Sequence, residues 1–165
     1  MKNQNGVSLP ILIIGIVVII AITSVIVNYG IDMAEENRLQ DLRTNMLLIQ
    51  ADAKKDLEEV CFQTANLDAN KEEDLTKINE IKKENLKGVL VQGSEAESSI
   101  PQEITVDEDS YYLDEMTLNE IGVKDLNSEQ YGYFIVKYDF SNTTVEVINT
   151  KGYDGKYTLT QLIEE

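Results

Sequence analysis

With 165 residues and a formal net charge of −16, the chain has room for one small domain and an elongated stem, not for a large catalytic body. The surplus of 30 acidic over 14 basic residues argues against a phosphate-rich partner, so no nucleic acid is expected. Histidine is absent and Cys61 is the single cysteine, which excludes an intramolecular disulfide and removes the commonest general base and metal ligand.

The leader MKNQNG carries Lys2 and the terminal amine as its cations and has no acidic residue. Residues 7–27 then form an uncharged run of Val, Ile and Leu with few interruptions. Twenty-one residues at about 1.5 Å rise cross the hydrocarbon of a bilayer, which predicts a transmembrane helix in contact with lipid. So many β-branched residues make a poor helix in water, but in lipid every backbone group must be bonded internally and the helix is enforced. Asp32, Glu35 and Glu36 follow the run, so the charge bias places the N-terminus in the cytoplasm and the remainder outside the cytoplasmic membrane. A secretory signal peptide would have a shorter apolar region, a more basic start and a small-x-small cut site; the nearest candidate, Ala21-Ile22-Thr23, lies inside the run.

The junction Gly6-Val7-Ser8-Leu9, a Lys-bearing polar leader ending in Gly and followed by about twenty apolar residues, resembles the N-terminal signal of type IV prepilins and of type II secretion pseudopilins. The resemblance covers residues 1 to about 30. It implies processing by a prepilin peptidase, with cleavage between Gly6 and Val7 and N-methylation of the new amine at Val7. Glycine suits a protease that must hold the backbone extended at the cut, since it has no Cβ to obstruct. Pro10 falls in the first turn of the helix beginning at Val7, close to where a missing N–H is tolerated. Most family members carry a Glu four residues past the cut, an assembly position occupied here by Ile11. Loss of that acid favours residence in the bilayer and removes an assembly contact, a pattern that fits a minor or tip subunit or a variant lineage. The partners implied are the prepilin peptidase, other pilin-like subunits and their assembly platform.

Beyond the membrane exit at Asn28, Tyr29 and Gly30, the residues Leu39, Leu42, Met46, Ile49, Ala53, Leu57 and Val60 recur at three- and four-residue steps without a proline. They predict one continuous helix over residues 7–62, whose apolar stripe packs either on the C-terminal module or in a coiled coil. Cys61, at the end of the stripe, reads as a small buried hydrophobe. A second amphipathic helix is expected over residues 70–86, with Leu75, Ile78, Ile81 or Lys82, and Leu86 on one side and Gly88 closing it. Residues 89–110 read as a surface connection in which 89–91 and 104–106 are candidate short strands. Asp107, Glu108 and Asp109 lack the Gly and terminal Glu of a calcium loop, because Tyr111 and Tyr112 stand where ligands belong; they read as a solvated acidic loop, with no metal.

Near the C-terminus, residues 117–121 predict a helical turn closed by Gly122, and 131–138 an almost wholly apolar strand buried on both faces. The turn chemistry of Asp139-Phe140-Ser141-Asn142 leads to a returning strand over 144–148. A second turn follows over 149–155, and residues 157–163 read as a last strand or a short helix. The organisation expected is a prepilin leader over 1–6, a transmembrane or filament-core helix over 7–28, an amphipathic stem over 29–62, a second helix and acidic linker over 63–110, and a β-rich module over 111–165. This is an α+β class, helix first and small antiparallel sheet last. The order resembles the pilin architecture, and the hairpin ending Tyr-Asp-Gly-Lys-Tyr-Thr-Leu is similar to that of Gram-positive pilin-like proteins. No Ser/His pair, CxxC, phosphate-cradling loop or HExxH is present, so neither enzyme nor cofactor is expected. The remaining alternative is an uncleaved single-span anchor carrying an extracellular binding module.

Overall fold

The computed structural model describes residues 33–124 and 131–164. Helix α1, Met33–Thr64, contains neither Gly nor Pro and is rich in Leu, Met, Ala, Glu, Gln and Lys, the residues that lose least on entering a helix. Its 32 residues extend about 48 Å at the standard rise. Of the expected stripe, Met46, Ile49, Ala53, Leu57 and Val60 are buried in the core and Leu39 and Leu42 are half-buried against it, so the stem packs on the sheet. Cys61 is half-buried, resting against that core instead of inside it.

Helix α2, Glu72–Asn85, starts with Glu72, Glu73 and Asp74 and finishes with Lys82 and Lys83, charges that complement its dipole. It is shorter than the span expected; Ile78, Ile81 and Lys82 lie toward the head and Leu86 is buried in the core as expected, joined by Asn85, while Leu75 is 43% exposed. Gly88 does not close it. The last turn ends on Leu86 in extended conformation, and Gly88 sits two residues on with φ +96 against the Tyr112 carbonyl.

The described residues form a five-stranded antiparallel sheet, a meander in chain order: β1 (Val89–Leu90), β2 (Ser110–Leu113), β3 (Phe134–Asp139), β4 (Thr144–Tyr153) and β5 (Lys156–Thr158). Between β2 and β3 lies α3, Glu115–Ile121, and after β5 comes α4, Leu159–Ile163. Gly122 closes α3 in the left-handed conformation, as expected, while the helix starts two residues earlier than expected, where Asp114 caps it by accepting from the Thr117 N–H at 2.8 Å. Residues 157–163 divide between the two readings, the end of a strand and then a short helix, joined at Thr158 by a capping box with Gln161.

Strand β3 is buried on both sides, as its apolar run requires. Phe134, Val136 and Tyr138 enter the main core beneath α1, whereas Ile135 meets Val91 and Ile148 in a second, smaller cluster. That second cluster is covered by Ile100, Ile104 and Val106 from the connection between β1 and β2. The expected strand over 104–106 is therefore absent; these residues use their apolar side chains as a cover and make no ladder. The strand lies just after them, at Ser110–Leu113, where Tyr111 and Tyr112 pair with Val136 and Ile135.

Strand β4 also runs further than expected, through the turn chemistry at 149–153. Asn149 is buried and its Oδ1 accepts from the N–H groups of Lys151 and Gly152, which absorbs the extra residues as an irregularity within the strand. The chain reverses at Asp154-Gly155, both with positive φ, the conformation a two-residue hairpin turn demands.

Candidate functional site

The sequence places its functional residues at Gly6, Val7 and Ile11, and all three lie outside the described residues. The described part contains the surface by which the stem helix is joined to the head. Two hydrogen bonds set the direction of that joint: Gln50 donates to the Val145 carbonyl at 3.1 Å, and Lys54 Nζ donates to the Thr143 carbonyl. As α1 advances β4 recedes, so the two run antiparallel. The C-terminal end of α1 lies beside the β3–β4 turn, and its N-terminal end points toward the opposite end of the sheet. Register carries α3 and α4 to that opposite end, since Leu113 pairs with Phe134 and Phe134 with Asn149, while Ile148 pairs with Thr158.

A polar cluster interrupts this apolar seam. Lys87, between α2 and β1, donates to Asp52 of α1 and stands 3.4 Å from Asp56 Oδ2. The second contact is an ion pair without the geometry of a hydrogen bond, and Asp56 Oδ2 accepts none. Asp56 is only 8% exposed, and its carboxyl is pushed up to about 6 from 3.8. Burial is the main cause; Lys87 opposes it and the neighbouring Asp52 charge adds to it. For Lys87, burial by itself would lower the pKa, but the bond to Asp52 and the charges of Asp56 and Asp52 outweigh it and raise the value. Tyr138, on β3, has a buried hydroxyl without a hydrogen-bond partner, and burial, then the Asp56 and Asp52 charges, oppose its ionisation.

The acidic loop is tied down, not merely solvated. Asp107 pairs with Lys137 at 3.0 Å and accepts from Ser110 Oγ at 2.9 Å, and Asp109 pairs with Lys82 at 2.7 Å. Lys82 also lies 4.0 Å over the Phe140 ring. Glu108 is exposed. Among the described residues no group of three or more His, Cys, Asp or Glu is arranged to hold a metal ion, and none of their helices is long and apolar enough to cross a membrane.

The Asp52, Asp56, Lys87 and Tyr138 cluster was not foreseen from the sequence. Its signal was available in part: Asp52 and Asp56 directly precede Ala53 and Leu57 of the apolar stripe, so a helical wheel places two acids at the edge of a buried face. Lys87 and Tyr138 are brought in by the tertiary fold alone. Chemically the cluster can hold and release a proton. The chain matches no protein-family model, no curated protein and no solved structure.

Proposed function

We propose that the chain is a pilin-like or pseudopilin-like minor subunit of a type IV pilus or type II secretion-like filament, with no enzymatic activity of its own. The observation that carries the reading is the junction Gly6-Val7-Ser8-Leu9, set at the edge of the uncharged run over 7–27. A prepilin peptidase cuts on the cytoplasmic side, Val7 becomes the methylated N-terminus, and the apolar helix passes from lipid into the filament core among other pilin-like subunits. The small α+β head stays outside the membrane. Its support is the way α1 is built: Met46 to Val60 of that helix supply one wall of the head's core, so a pull on the stem is borne by the sheet. An uncleaved single-span anchor would need the apolar run but not the Gly6-Val7 junction.

Ile11 makes the reading specific. A family Glu at this position is held to pair with a neighbour's amine, and without it apolar packing favours association but supplies no charge pair to fix axial register. The test is the composition of filaments sheared from the cell surface. The wild-type chain is expected at low copy among Glu-bearing subunits, and Ile11→Glu should raise its incorporation, though insertion into the bilayer then costs about 3 kcal/mol. Abundant filaments of the wild-type chain alone, unaffected by Ile11→Glu, would contradict the minor-subunit role; absence of both forms from every filament would contradict assembly itself.

A further inference from the structure

On α1, Asp52 and Asp56 stand four residues apart, on the same edge of the helix where it meets the head. One ammonium, Lys87 Nζ, serves both carboxylates, donating to Asp52 and lying 3.4 Å from Asp56 Oδ2. With both acids ionised the cluster holds two negative charges against one positive, and the less compensated of them sits on the Asp56 side chain, only 11% exposed. The groups acting on that carboxyl are Asp52 and Lys55 from α1 and Lys87 from the segment between α2 and β1; from β3 comes the buried, unpartnered hydroxyl of Tyr138, whose ionisation the Asp56 charge opposes.

We propose that Asp52, Asp56 and Lys87 form a proton-operated clamp between the stem helix and the head. Uptake of one proton by the buried Asp56 carboxyl leaves a neutral Asp52–Lys87 pair beside a neutral acid and tightens the seat of α1 on the sheet. No bond other than O–H forms, and the proton comes from solvent. A filament or membrane stem that meets an acidic exterior thus holds its head more firmly, and one in alkaline surroundings holds it less firmly. The clamp lies wholly within residues 52–138 and works whether or not the N-terminus is processed.

The direction follows from linkage. Asp56 has a folded value of about 6 against 3.8 unfolded, so its contribution to stability is fully present below 3.8, declines as pH rises, and is gone above about 6. Asp107, Asp114 and Asp139 act oppositely. Their values are held below 3.8, so what they contribute is present above that value and lost only in more acidic solution, outside the window between pH 5.0 and 7.5.

The experiment is thermal unfolding of the full chain in neutral detergent micelles. The wild-type midpoint should rise by about 5 °C from pH 7.5 to pH 5.0. Asp56→Asn, which carries a permanently neutral group, should melt at pH 7.5 above the wild-type value for pH 5.0, since the acid's own contribution is complete only below 3.8, and stay level between the two. A wild-type midpoint that is flat or falls on acidification, or an Asp56→Asn chain that keeps the full rise, would overturn the clamp. Should that variant fail to fold, the ¹³C carboxyl titration of Asp56 in the wild-type chain decides. A midpoint near 6, moved to lower pH by Asp52→Asn as Lys87 is freed for Asp56, is the expected result. A midpoint near 4, or one indifferent to Asp52→Asn, is the contrary one.

Discussion

Gly152 is where a single atom matters most. A Cβ there would lie 2.2 Å from the Lys156 carbonyl oxygen and 2.7 Å from the Tyr157 ring, and the backbone holds φ at +56. Left-handed backbone alone costs a residue with a side chain about 1–2 kcal/mol, and here the obstruction includes main chain that cannot swing aside. Gly155, with φ +72 at the tip of the same hairpin, has open space around the same position. Gly152→Ala should therefore lower the unfolding free energy by more than 2 kcal/mol, about twice the loss from Gly155→Ala, as read by urea denaturation; equal losses would show that the space around Gly152 is not tight. The residues of this hairpin were only partly legible. Asp154-Gly155 announces its turn by residue type, but Asn149, which reads as part of the same turn, is instead the buried acceptor that keeps β4 in place. Nothing local distinguishes the two roles, because the difference is set by a partner strand. Asp52 and Asp56 show the same limit: their positions beside the stripe were readable, the ammonium that serves them was not.

Elements declared themselves when their cues were local. Gly122 announced the end of α3 and takes the left-handed cap, whereas its start, expected at 117, lies two residues earlier, where Asp114 accepts from Thr117 N–H, a bond that also holds its carboxyl below the ordinary range. With seven residues and one fully buried apolar side chain, Leu118, this helix depends on its cap more than α1 does. Asp114→Ala should cost about 1 kcal/mol of stability and Asp114→Asn far less, measured as a shift of the denaturation midpoint; a loss as large for Asn as for Ala would point away from the cap. Strand β3 was equally readable, since a run apolar on successive residues has to be covered on both sides. Of the short strands, β1 falls inside the expected segment 89–91, whereas β2 was not foreseen, because a four-residue strand carries too little periodicity and takes its register from β3. Residues 104–106 show the converse error: a short β-branched segment reads as a strand, yet its apolar side chains are better used to roof Val91, Ile135 and Ile148. In α2 the helix and most of its inward edge were foreseen, at Ile78, Ile81, Lys82 and the following Leu86; Leu75 is the exception, left outside while Lys82 pairs with Asp109.

At the scale of the whole molecule the α+β class was legible, because a long stretch of helical period precedes segments of apolar alternation and turn residues. The described structure is a sheet with one long helix seated on its inner face and an irregular cover on the outer one. Under the proposed function this head is carried outside the membrane on the apolar run over 7–27. What separates a filament subunit from a permanently anchored module is the fate of six residues, since both have the same head and the same apolar run. Gly6→Leu should leave head stability unchanged and block maturation alone. The most direct measurement is the intact mass of the chain recovered from its native membrane in cells with an active prepilin peptidase. A mass lacking residues 1–6, with one added methyl group on Val7, is expected; a chain still beginning at Met1 would contradict the pilin-like reading.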